Sequence, residues 1–231
     1  MNVVIDIETI PCDEGTRKQL PSINPPRNLK NESKIKKWRE ENLAELEKEQ
    51  YRKTALNANL GRIICIGMLF FSQRNEAHRS ISIFGQQENL ILSKFWKMIE
   101  KYKNPYIITH NGLGFDLPFI WKRSVILQVA PTTHFNLSRY RTDYGYDTMA
   151  VWSNWDMRDA IKLDELARIL DVARKSGTGA DVYDLWRAGK YKDIGEYCLQ
   201  DIYVTYCCYC RMNFITPVDR SKIPVDLAQV D

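Results

Sequence analysis

Several things are scarce in this chain of 231 residues, and each absence removes a class of function. No apolar run is long enough to span a bilayer: the longest, Ile63 to Phe71, falls far short of the roughly 20 residues that a membrane helix needs. No secretory signal is expected, because Met1-Asn2 leads straight into Val3-Val4-Ile5, and Asp6 and Glu8 would interrupt a signal core. Charge of one sign is not abundant either. With 33 basic and 29 acidic residues the formal net charge is +4, which is compatible with a polyanionic partner and argues for none by itself. The six cysteines build no framework, since Cys198, Cys207, Cys208 and Cys210 crowd into one stretch predicted to be helical, where bridging geometry is poor. Cys207 and Cys210 have C-x-x-C spacing but no second pair and no βαβ context, so core packing is the better reading. Free thiols, and with them a cytoplasmic, reducing setting, are therefore expected. There is no internal repeat, no low-complexity tail and no Cys–His or Ser–His pair of the kind that activates a hydrolytic nucleophile.

Hydrophobic residues make up 44% of the chain and charged residues 27%, the composition of a folded protein long enough to bury a sizeable core. Residues 2–8 read as a strand ending at two acids, 62–71 as a near-continuous apolar strand and 79–84 as an alternating strand nearer an edge. These three suggest an antiparallel meander. An amphipathic helix follows over 88–102, with Leu90, Ile91, Phe95, Met98, Ile99 and Tyr102 on one stripe. A short strand at 106–109 precedes a helix from about 117 to 129, whose first turn accommodates Pro118. Further helices are predicted at 163–170, 182–188 and 194–212. The order permits an α/β, ribonuclease-H-like mixed sheet flanked by helices, as one domain over 1–231. Between the first two strands lies a charged helical insertion at about 21–58, with a thin apolar stripe of Ile35, Trp38, Leu43 and Leu46. A solvated surface helix accounts for its mixed charge better than a flap over a groove does.

Three groups of residues carry chemistry. Asp6 and Glu8, two apart on a strand, project from one face and repel each other unless a cation neutralises them; an all-oxygen pair suits magnesium or manganese. On its own the pair is equally consistent with exposed strand-end acids. The segment from Ile107 through Asn111-Gly112-Leu113-Gly114-Phe115-Asp116 runs from a buried strand through a turn to an acid at a helix start. Asp116 is read there as a metal ligand or as a helix cap, and Phe115 offers a ring for stacking on a base. Tyr197 and Asp201 lie four apart and so share a helix face.

Taken in order, D-I-E-T, H-N-G-x-x-F-D and Y-C-L-Q-D resemble the three exonuclease motifs of the DEDD superfamily, tyrosine subclass. The chain is most similar to the proofreading exonuclease domain of B-family DNA polymerases and to stand-alone exonucleases like it. Gly61 to Gly67 resembles the second strand of that group. A histidine-subclass member would carry His where Glu196 stands. The resemblance implies a 3′→5′ exonuclease; the remaining residues could not hold a polymerase palm or fingers, so none is expected in this chain. It implies two Mg²⁺ or Mn²⁺ ions held by Asp6, Glu8, Asp116 and Asp201, with Tyr197 orienting the attacking water, and release of nucleoside 5′-monophosphates. The expected partner is nucleic acid with single-stranded 3′ ends, DNA favoured over RNA, and no membrane. Thr9, Ile10, Asn111, Phe115 and Lys175 are the candidates for contacts to that strand, and Arg139 to Tyr146 interleaves cations with aromatics as single-strand binders do. Asp147 is expected to cap a helix and not to bind metal. The competing readings are an RNA exonuclease and a catalytically inactive relative that binds nucleic acid.

Overall fold

A computed structural model describes residues 1–172 and 182–230. The chain begins with β1 (Asn2–Ile10), a one-turn helix α1 (Glu14–Arg17) and the long helix α2 (Glu32–Lys53), which a 3-10 turn at Thr54–Leu56 connects to β2 (Arg62–Phe71). Next come β3 (Ala77–Gly85), α3 (Glu88–Ile99), β4 (Tyr106–Thr109) and α4 (Asp116–Ile126). The last part holds β5 (Gly145–Asp147), α5 (Thr148–Trp152), α6 (Leu163–Ile169), α7 (Val182–Arg187), α8 (Tyr191–Met212) and β6 (Val225–Val230).

The strands form one six-stranded sheet in the order β5-β4-β1-β2-β3-β6. β1, β2 and β3 are the expected antiparallel meander, while β4 pairs parallel with β1, β5 with β4 and β6 with β3. Helices cover both faces, which is why β2 reads as an unbroken apolar run instead of an alternating one. Val3, Ile5 and Ile7 pack with Ile91, Phe95, Leu117 and Ile120 of α3 and α4 on one face. Val4 packs with Leu199, Ile202 and Tyr206 of α8 on the other.

Two strands escape the sequence reading. β6 pairs with β3 along its whole length, so β3 is the penultimate strand of the sheet and not its edge. β5 has only three residues and ends at Asp147. The insertion helix α2 is solvated along nearly all its length, with Tyr51 its only buried residue. Tyr51 ties the end of α2 to the core: its hydroxyl donates to the Cys12 carbonyl at 3.2 Å and lies 3.0 Å from the Tyr183 hydroxyl.

Candidate active site

Alternation along β1 sends Val4, Asp6 and Glu8 to the face that α8 covers, and there the strand meets Cys198. The carboxylates of Asp6 and Glu8 and the Cys198 sulfur all lie within 4.8 Å of one another. The thiol is 3.7 Å from the Asp6 carbonyl and 3.8 Å from its Oδ2, so α8 is held directly against the acid pair. This close approach depends on Gly67, the residue of β2 opposite Asp6: a Cβ there would stand 2.6 Å from the Cys198 sulfur and 3.1 Å from Ile202 Cγ2. Three residues beyond Cys198, and so on the same side of α8, sits the buried Asp201, while the preceding residue, Tyr197, is half-buried. Cys198 was expected only as one of the free thiols on this helix; its place three residues before Asp201 puts the two on one side of α8.

Among the described residues only Asp6, Glu8 and Cys198 offer ligand atoms within 4.8 Å of one another, with Asp201 outside that group, and Asp116 reaches β1 from a different element. It opens α4 without capping it, and instead its Oδ1 accepts the Ile7 N–H at 3.0 Å, between the two β1 acids. Burial pushes its carboxyl up to about 7, opposed by the hydrogen bonds from Ile7 and its own backbone and reinforced by the charge of Asp147. A buried carboxylate bonded to the strand that carries Asp6 and Glu8 is suited to a divalent cation, which would favour the ionised form.

The turn leading to Asp116 is fixed by Asp147. Its Oδ1 accepts from the Asn111 N–H at 3.0 Å and from the Met149 and Ala150 N–H groups at 3.1 and 3.0 Å, the last two being the cap of α5. Its Oδ2 accepts from the Leu113 N–H at 3.0 Å and the Thr109 hydroxyl at 3.1 Å. His110 adds a second tie, with Nδ1 at 2.9 Å from the Thr148 hydroxyl and Nε2 at 3.0 Å from the Ile161 carbonyl. A carbonyl only accepts, so Nε2 carries a proton.

The candidates for strand contacts occupy different settings. Asn111 is exposed, with φ of 63°. Phe115 is half-buried with its ring 5.3 Å from that of Phe119. The Thr9 hydroxyl donates to the Ala55 carbonyl at 2.8 Å, and the Ile10 side chain is in the core beside Ile64 and Phe84, away from the surface. Lys175 lies outside the described residues. Along 139–146, Arg141 pairs with Asp143 and stacks 4.9 Å from the Tyr144 ring, and the exposed Tyr140 packs against Trp155. Among the described residues no helix is long and apolar enough to cross a membrane, and all six cysteines are free thiols.

Residues 53–222 match the model of a family described as predicted 3′-5′ exonucleases related to the exonuclease domain of PolB. That span contains Asp116, Tyr197 and Asp201 and leaves out β1 with Asp6 and Glu8. Among solved structures, the chain is similar to the family B DNA polymerase from the hyperthermophilic archaeon Pyrobaculum calidifontis, with 13% identity and a TM-score of 0.54. The likeness covers 92% of this chain and 24% of the polymerase, so the chain spans about a quarter of that protein's length. At that identity the likeness is one of fold, the ribonuclease-H-like mixed sheet. No curated protein matches the sequence.

Proposed function

This chain belongs to the family of predicted 3′-5′ exonucleases related to the exonuclease domain of PolB, and we propose that it is a member of the tyrosine subclass of DEDD exonucleases. In this reading it hydrolyses the 3′-terminal phosphodiester of single-stranded DNA and releases nucleoside 5′-monophosphates. The observation that carries it is the convergence of three distant segments. The Ile7 N–H binds Asp116 and the Cys198 thiol touches Asp6, so the strand that holds residues 6–8, the start of α4 and the middle of α8 converge.

Asp6, Glu8, Asp116 and Asp201 would hold two Mg²⁺ or Mn²⁺ ions. Bound there, such a pair lowers the pKa of a water and neutralises the departing 3′ oxygen. The chain supplies the rest. Ile7 holds the Asp116 carboxylate in place, and α8 sets the distance of Asp201 and Tyr197 from β1. Tyr197 orients the attacking water through its hydroxyl, a positioning role. Asn111 and Phe115, at the turn before Asp116, face the strand, and Thr9 presents its main chain. DNA is favoured over RNA because the family is named for a DNA polymerase domain.

Digestion of 5′-labelled DNA and RNA oligonucleotides with Mg²⁺, Mn²⁺ or chelator tests the reading. A ladder shrinking from the 3′ end, lost in chelator and slowed by a bulky 3′ block, is expected. Cleavage of a circular single strand, or full activity in chelator, would overturn it. Within the same assay Tyr197→Phe should slow turnover by about thirty- to a thousandfold, equivalent to about 2–4 kcal/mol of lost transition-state positioning, at unchanged thermal stability.

A further inference from the structure

We propose that Asp147 is a positioning residue for the active site, and that its two carboxylate oxygens have different tasks: Oδ1 caps α5 and also takes the Asn111 N–H, whereas Oδ2 serves no cap and clamps the turn that delivers Phe115 and Asp116. The proposal rests on the exonuclease reading above and goes beyond it in naming a residue outside the four acids and Tyr197.

The division follows from the contacts. Both N–H groups of the first turn of α5, Met149 and Ala150, point at Oδ1, which they share with Asn111. Oδ2 takes no part in the cap and receives the Leu113 N–H and the Thr109 hydroxyl. Asp147 is buried, so no solvent replaces these acceptors if they are lost. The turn has few other supports. The Asn111 carbonyl takes the N–H groups of Gly114 and Phe115, and the Gly112 carbonyl takes that of Leu117. These bonds run within the turn and into α4; among the described residues only Asp147 anchors the backbone N–H groups of Asn111 and Leu113 to a different element. Asn111 itself stands at φ 63°, a left-handed conformation that asparagine accepts more readily than other side chains, as suits a turn. Without the clamp the turn relaxes, and the residues at its end lose their register against β1.

The atoms supply the test. Asparagine at 147 keeps one acceptor oxygen, enough for the cap, but places an NH₂ group where Oδ2 faced the Leu113 N–H, setting donor against donor. For Asp147→Asn, hydrogen exchange across 110–115 should accelerate while the amides of Met149 and Ala150 stay protected and the melting temperature changes little. In the oligonucleotide assay kcat should fall about ten- to a hundredfold, as a misplaced catalytic geometry requires, with KM within about threefold of wild type. If exchange accelerates equally in both segments and activity follows the folded fraction, Asp147 is only a helix cap and the proposal fails. Wild-type exchange and wild-type kcat overturn it equally. Should Asp147→Asn not fold, Thr109→Val removes one donor to Oδ2 and leaves the cap untouched. Faster exchange over 110–115 in that variant supports the clamp, and unchanged exchange overturns it. A wild-type protein that cleaves no nucleic acid would refute the enzymatic reading, while the exchange comparison still decides whether Oδ2 holds the turn.

Discussion

Single side chains at this site differ chiefly in how much water reaches them. Asp6 and Glu8 are half-buried, whereas Asp116 is 4% exposed and Asp201 8%. In the metal-free protein, Asp116 therefore opposes folding when it ionises. Its carboxyl, at about 7 in the folded chain against 3.8 unburied, binds a proton more tightly folded than unfolded. The associated stabilisation is complete below the unfolded value and disappears as pH rises through about 7. Asp116→Asn retains an acceptor for the Ile7 N–H and carries no charge. It should raise the melting temperature in chelator at pH 8 more than at pH 5, at about 2–4 °C for each kcal/mol relieved, while abolishing cleavage. A melting difference that does not change with pH would show that Asp116 is not the buried titrating group. The pairing of Asp6 with Glu8 was legible because the two stand two residues apart on one strand. The burial of Ile10 was not, since it depends on Phe84 and Ile194 closing over β1, two contacts distant in the chain.

Elements bring these side chains into place, and α4 is the one with the least ordinary support. Arg123, seven residues after Asp116, makes a two-pronged pair with Glu88 at the start of α3, with Nε to Oε1 at 2.9 Å and Nη2 to Oε2 at 2.7 Å. Glu88 also accepts the Ile63 N–H at 2.8 Å, so one buried carboxylate joins α3, α4 and β2. Arg123→Ala would leave Glu88 buried without its counterion and should destabilise the protein by about 3–5 kcal/mol. Replacing both partners by apolar residues of similar size should recover most of that loss, which a urea titration of the three variants would measure. The long elements, β1, β2, α3 and α8, could be read from periodicity because they bury a whole face. β5 and β6 could not. Three residues hold no pattern, and most of β6 is exposed, so its strand form comes from the open edge of β3 and not from its own composition.

On the scale of the whole molecule, β1 is the strand at which the sheet changes direction, antiparallel to β2 on one side and parallel to β4 on the other. The candidate site forms where this strand, the turn after β4 and the helix α8 meet, three parts of the chain separated by roughly a hundred residues each. A cation held between them ties the two faces of the sheet together and should stabilise the fold as a unit. With Mg²⁺ or Mn²⁺ at a hundredfold its dissociation constant, the gain is about 2.7 kcal/mol. At this chain length that corresponds to a melting shift of roughly 5–10 °C, which Asp6→Asn should remove. No shift in the wild-type protein would mean that the acids hold no ion. Motif order across the chain made this assembly readable in outline. The contacts that close it, from Ile7 to Asp116 and from Cys198 to Asp6, belong to the tertiary structure and have no local signature.

Gly67 has a further meaning for selectivity between ions. Its single hydrogen leaves no spacer between β2 and the Cys198 sulfur, so α8 lies closer to the strand than a side chain at 67 would allow. Asp201 rides on that helix, and Asp6 and Glu8 ride on the neighbouring strand. In the proposed site, the close approach at Gly67 would therefore help set the spacing between Asp201 and the β1 acids. Magnesium, with its short and rigid oxygen shell, needs the narrow setting, whereas calcium accepts longer and less regular distances. If the proposed ligand set is right, a side chain at this one position would push α8 from the strand and favour the larger ion without altering a single ligand.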